Sequence, residues 1–136
     1  MDRRWAVVVV SLLQAACAAP PAPGRPVDGE WVIAQARSEP LVDKRFARLV
    51  FEAGGRLSGH TGCNTLSAAY TLEGDRLKIG PVATTRRLCP ELQREQEDRV
   101  LTALELAATA RVRPDGILEL RDAEGRGVLR ATRPEP

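Results

Sequence analysis

Between residues 30 and 132 apolar and polar positions alternate in short runs broken by Gly, Pro and Asp, as in half-buried β-strands. Residues 30–34 put Trp31 and Ile33 on one face; Ser38-Glu39-Pro40 ends that run, and a loop is expected to about Lys44. Leu49, Val50 and Phe51 lie in a run over 46–53. Gly54-Gly55 turns it into 56–60, a short-hairpin signal. Residues 69–73 and 76–79, joined through Gly74-Asp75, predict a second hairpin. Tyr70 and Leu72 alternate on one of its strands, Leu77 and Ile79 on the other. The tail predicts a meander over 110–113, 117–121 and 128–132, turned at Pro114-Asp115-Gly116 and through 122–127.

From Pro90 to Ala108 the period changes. No glycine or further proline occurs, and Leu92, Val100, Leu101, Leu104 and Ala108 fall mostly on one stripe, with acids and arginines opposite. Pro90 suits the first helical position and Glu91 the positive helix end. Strands on both sides of a single helix predict an α+β layout, antiparallel sheet with one helix packed against it.

The first residues follow another logic. Asp2-Arg3-Arg4, an apolar run over 6–13 and the small residues of 15–19 have the layout of a secretory signal. The run is far below the ~20 residues that span a bilayer. Leu13-Gln14-Ala15-Ala16-Cys17 resembles a bacterial lipobox. Residues 1–16 are therefore read as signal peptide and Cys17 as the acylated residue. The alternative is ordinary cleavage after Ala18. Residues 17–28, rich in proline, read as a tether of polyproline-like character. Residues 29–133 read as one domain.

Charge narrows the partners. The 20 basic and 18 acidic residues nearly cancel, and aromatics are few. A nucleic-acid groove needs clustered basic residues and stacking aromatics, so none is expected, and the arginines read as solvated surface. The cysteines number three. Export places them in an oxidising compartment. With Cys17 acylated or removed, Cys63 and Cys89 remain, and a pair makes one bridge. Its loop of about 27 residues would be worth roughly 3.5 kcal/mol in the chain-entropy model. Metal ligation or thiol chemistry are the alternatives. Zinc wants four ligands, with only His60 nearby, and no C-x-x-C is present for exchange.

The middle of the chain resembles the META domain family, the domain of HslJ-like bacterial envelope proteins. The resemblance rests on Phe51 before a Gly-turned hairpin, Gly59, Gly62-Cys63-Asn64, Tyr70, Leu77, Thr85 ahead of Leu88-Cys89-Pro90, and Glu97 before Val100-Leu101 and Leu104. Leu118, Leu120, Asp122, Gly125 and Leu129 continue it, and Trp31 suits the opening strand. It implies a curved, barrel-like antiparallel sheet of about seven strands around one central helix. It also implies association with heat induction, antibiotic tolerance and secretion, and attaches no catalytic residue.

The candidate chemistry centres on the loop 59–64. His60 and Cys63 could form a dyad, and Glu97 a catalytic carboxylate. A bridged cysteine cannot attack, however, and at that helix position a charge more often anchors a neighbouring loop. Asn64 is expected to accept a positive φ or to cap the loop. Ser58, Thr61, Thr65, Ser67, Thr84 and Thr85 read as turn and strand-edge hydrogen bonding rather than as a polar pocket. The expectation is thus a monomeric, non-enzymatic envelope protein without cofactor or metal, held to a membrane through lipid on Cys17, that binds a partner protein or ligand. It would be an outer-membrane lipoprotein facing the periplasm, or soluble in the periplasm if Cys17 is not acylated. The alternatives are a small hydrolase or thiol enzyme using His60, Cys63 or Glu97, and an inhibitor of an envelope hydrolase presenting the loop 38–44.

Overall fold

The computed structural model describes residues 25–136; the signal segment 1–16, Cys17 and the tether up to residue 24 lie outside the described residues. The elements are β1 (Gly29–Ala36), β2 (Glu39–Pro40), β3 (Arg48–Glu52), β4 (Arg56–His60), β5 (Thr65–Glu73), β6 (Arg76–Ile79), β7 (Ala83–Thr84), α1 (Glu91–Leu106), β8 (Thr109–Val112), β9 (Leu118–Arg121) and β10 (Gly127–Thr132). Eight strands run antiparallel in the order β10-β9-β8-β6-β5-β4-β3-β1, and β10 pairs back onto β1. The sheet is therefore a closed barrel, and closure leaves no open edge along these strands. The two short strands ride outside this path, β2 on β1 and β7 on β5.

The expected α+β fold is what is found, with eight staves in place of about seven. Alternation decides what fills the barrel. Trp31 and Ile33 of β1, Leu49 and Phe51 of β3, Leu57 of β4, Leu66 and Tyr70 of β5, Leu118 and Leu120 of β9, and Leu129 and Ala131 of β10 all point inward and are buried. Phe51 and Tyr70 meet edge to face, ring centroids 5.1 Å apart. Bulges at Ile33/Gln35 and Gly127/Leu129 shift the β1–β10 and β10–β9 registers, the extra twist that helps a sheet close. Gly59 is set by a backbone approach. A Cβ there would stand 2.0 Å from the Arg48 carbonyl oxygen of the neighbouring strand.

Helix α1 buries Gln96, Val100, Ala103 and Leu104, and its contacts fall chiefly on β10 and β1. It is shorter than the expected 90–108, with Pro90 as the capping residue and Ala108 beyond its end. Leu92, expected on the buried stripe, is 56% exposed. The stripe stops at Gln96 because that side chain binds loop backbone and leaves no apolar floor beneath the first turn.

Packing reaches back beyond residue 29. Val27 is buried and its carbonyl accepts a hydrogen bond from Trp31 Nε1 at 2.8 Å. Arg25 lies over the Tyr70 ring and donates to its hydroxyl at 2.7 Å. From the other terminus Arg133 stacks 3.8 Å from the Trp31 ring centroid.

Where a loop is expected after residue 36, the chain instead makes a two-residue hairpin turn, with Ala36 opposite Glu39. Arg37 and Ser38 take φ of 56° and 69°, the geometry for which Asn-Gly is the usual sequence. Side chains in the left-handed region cost free energy that Asn and Gly largely avoid. Arg37→Asn with Ser38→Gly is expected to stabilise the fold by about 1 kcal/mol, read as a higher urea midpoint at unchanged slope.

Candidate functional site

The segment Gly59-His60-Thr61-Gly62-Cys63-Asn64 joins β4 to β5 at one end of the barrel, beside the start of α1. Cys63 is bonded to Cys89, with Cα atoms 5.9 Å apart. The bridge fastens the β4–β5 loop to the residues immediately before the helix, and Cys63 is buried while Cys89 is partly open.

Beneath the bridge lies a network of polar side chains. Asn64 Nδ2 donates to both Glu97 carboxylate oxygens at 3.1 and 3.0 Å. Its Oδ1 accepts from Thr85 Oγ1 at 2.9 Å and from the Arg87 backbone N–H at 2.7 Å. Both ends of the amide are thereby satisfied. Thr61 Oγ1 donates to Glu97 at 2.7 Å and accepts from the backbone N–H groups of Cys63 and Asn64. Thr85 Oγ1 in turn accepts from the Thr65 N–H at 3.1 Å. Gly62, Cys63, Asn64, Thr85, Cys89 and Glu97 thus converge on one spot. Their hydrogen-bonding capacity is spent largely on one another. Asn64 caps the loop; the positive φ belongs to Gly62, at 100°.

Three participants were not legible as such in the sequence. Gln96 Nε2 donates to the carbonyls of Thr61 and Asp43, and its Oε1 accepts from the Asp43 N–H. It locks the 41–47 loop to the β4–β5 loop. A Cβ on Gly62 would stand 2.2 Å from Gln96 Nε2, so the glycine leaves room for that amide. A signal for Gln96 existed: it lies on the same helical stripe as Val100, Ala103 and Leu104, where a polar residue needs a partner. The other two, the Asp43 backbone and the Arg87 backbone N–H, carry no side-chain signal. Of the Ser/Thr cluster, Thr61, Thr65 and Thr85 join the network, whereas Ser58 and Ser67 face each other across β4 and β5.

Above the network opens a cleft of about 390 Å³, bordered by Phe46, His60, Arg87, Leu88, the bridge and Gln93. His60 Nδ1 accepts the Gly62 N–H at 2.9 Å, which places its proton on Nε2. It does not face a free thiol. Burial, reinforced by nearby Arg87 and opposed by Glu97, holds the imidazole pKa below its ordinary value of 6.5. The folded state therefore resists protonation, and unfolding takes up a proton as pH falls below 6.5. This contribution to stability is present above pH 6.5 and lost on acidification through the folded value. Glu119 and Asp122, held below 4.5 and 3.8, extend the loss to lower pH. For Glu119, burial raises the value but the Arg121 hydrogen bond and the charges of Arg121, Arg130 and Arg113 outweigh it; for Asp122 the Arg126 backbone N–H leads. The melting temperature should be level above pH 7 and decline in these two stages. His60→Gln should abolish the upper stage alone.

A family profile described as META domain matches residues 25–135. The chain is also similar in structure to a protein from Burkholderia xenovorans solved by NMR. The TM-score is 0.60 at 22% identity, over 90% of this chain and 97% of that one. A DUF4847 family protein from Bacteroides vulgatus, a crystal structure, matches with TM-score 0.58 at 13% identity, over 81% and 95% of the two chains. At these identities the likeness carries the fold. The comparison with curated proteins returns no match.

Proposed function

The chain belongs to the META domain family, and from that membership and the signal and lipobox layout of residues 1–17 we propose that it is an exported, lipid-anchored envelope protein, without catalysis of its own, that binds a partner protein through the disulfide-side rim. One observation carries the binding reading. The large apolar side chains that stand exposed among the described residues are Val42, Phe46, Leu88, Leu92 and Leu106. All but Leu106 fall on residues 42–46 and 88–92, two of the three segments that border the cleft, and Leu88 is 99% exposed. Exposed apolar groups gathered on a braced rim are what a protein contact uses. The brace beneath, from the bridge to Asn64 and Glu97, would hold them at little entropic cost on binding.

The hydrolase or thiol-enzyme reading is less well supported, since Cys63 is bonded to Cys89 and Glu97 is engaged by Asn64 and Thr61. Presentation of the 38–44 loop as an inhibitor is weakened by buried Leu41 and by the Gln96 clamp on Asp43. The reading places the protein in the outer membrane facing the periplasm, with a part in envelope stress tolerance. Intact mass, with and without reductant, tests export, acylation of Cys17 and the bridge. A photo-crosslinker at Leu92 tests the rim: one envelope protein should be captured, and Phe46→Asp with Leu88→Asp should abolish capture. Capture that survives both substitutions would sink the rim as the binding surface.

A further inference from the structure

The outward face of β8, β9 and β10 carries a charge arrangement that the sequence disperses. Arg111, Glu119 and Arg130 stand in one row across the three strands, with Arg121 next along β9 and Arg113 just past β8. Four arginines thus surround one carboxylate. Glu119 is buried beneath them, its side chain 6% exposed. It is paired with Arg121, with Arg130 at 3.3 Å and with Arg113 at 3.8 Å. Arg121 and Arg130 approach it through Nε, and no protein hydrogen bond reaches their terminal nitrogens among the described residues. Arg111 makes no ion pair among the described residues, nor do Arg76 and Lys78, exposed on neighbouring β6. The carboxylate holds the guanidinium groups side by side, where they would otherwise repel, and together with Asp115, 2.9 Å from Arg113, it balances two of the four charges. What it presents outward is a set of fixed cationic donors.

The chain enters the barrel beside this face. Arg25 and Arg111 line the same cleft of about 460 Å³. Seven residues separate Cys17 from Arg25, and the eight Cα–Cα steps between them span at most about 28 Å. A bilayer holding Cys17 would lie within that reach of Arg25, at the cleft it shares with Arg111.

We propose that the arginine face docks on the anionic phospholipid headgroups of the membrane to which the chain is tethered, laying the barrel on its β8–β10 side. Guanidinium groups match phosphate oxygens in charge and fork geometry, and one basic side chain near an anionic surface is worth about a fivefold gain in partitioning. The posture rests on the lipid-anchor reading, but affinity for a charged surface does not.

The test uses the chain from residue 18, which contains the whole barrel and carries no acylation site. Sedimentation with phosphatidylglycerol–phosphatidylethanolamine vesicles should show binding that weakens as salt rises, and phosphatidylcholine vesicles should bind little. Arg111→Gln alone, which leaves the Glu119 pairs intact, should cut partitioning about fivefold. Arg111→Gln with Arg121→Gln and Arg130→Gln should cut it about a hundredfold, with a thermal melt reporting the fold. Arg56→Gln, Arg86→Gln and Arg94→Gln, off this face, should change it less than about twofold. Equal binding to neutral vesicles, or indifference to Arg111→Gln, would overturn the proposal, as would an equal loss in the off-face variant. An intact mass without acyl chains would remove the anchor reading and leave the vesicle result standing.

Discussion

Replacing Asn64 by alanine is expected to lower the unfolding free energy of the oxidised protein by about 4 kcal/mol. The loss exceeds that of an ordinary side-chain hydrogen bond because of what stays behind. The Glu97 carboxylate would lose the amide that contacts both its oxygens, and Thr85 Oγ1 and the Arg87 N–H would lose their acceptor. A partly buried charge and two donors would be stranded without Asn64, and orphaned groups cost more than the bond itself contributes. Asn64→Asp should be as damaging, since it sets a second carboxylate against the first. Adding Glu97→Gln to Asn64→Asp reverses donor and acceptor across the contact and should recover at least half of the loss. Urea unfolding of the native protein, Asn64→Asp, Glu97→Gln and the double variant measures this directly. Independent, additive costs would mean that the two side chains are not coupled as described.

The bridge should carry nearly as much. Cys63→Ala with Cys89→Ala removes a cross-link between residues 26 apart and is expected to cost about 3.5 kcal/mol, mostly through the freer unfolded chain. Reductant should lower the urea midpoint of the native protein and leave that of the double variant unchanged. An unchanged midpoint for the native protein would mean that the cysteines are not paired. The two losses should differ in kind. Without the bridge the Asn64 network can still hold the loop; without Asn64 the bridge only limits how far it can stray.

Much of this architecture was legible along the chain, and the exceptions have physical causes. The hairpins turned at Gly54-Gly55 and Gly74-Asp75 announced themselves because glycine takes positive φ readily. The turn at Arg37-Ser38 has the same backbone shape without the residues that signal it. Strand β5 begins at Thr65 rather than 69, because Ser67, Ala68 and Ala69 dilute the alternation that marks its second half. The two-residue strands β2 and β7 are too short to carry a period. Closure of β10 on β1 depends on residues far apart and leaves no local mark.

Charge was legible in amount but not in place. Asp115, Glu119, Asp122 and Glu124 are interleaved with arginines in the sequence, which reads as balance. Folding sends Asp115, Asp122 and Glu124 to turns and end positions, and the two-residue period gathers Arg111, Arg121 and Arg130 on one side. The rim residues show a similar division. The motif residues Gly62, Cys63, Asn64, Thr85, Cys89 and Glu97 come together in the fold, where they brace the loop from below. Of the residues that face the cleft, Phe46 belongs to no motif, and Leu88 enters the family resemblance only as the neighbour of Cys89-Pro90.

Closure by β10 and β1 also brings the two ends of the barrel together. Arg133 donates to the Pro26 carbonyl at 2.9 Å, across 107 residues of sequence. The eight strands form a ring in space, and where the chain is cut to make its termini is a separate matter from how the ring packs. A circular permutant that links residue 133 to residue 26 and opens at the exposed turn through Gly116 would keep every strand beside its present neighbours. A leader segment attached to the permutant would then leave from the β8–β9 turn, so the same barrel would be held by a different corner.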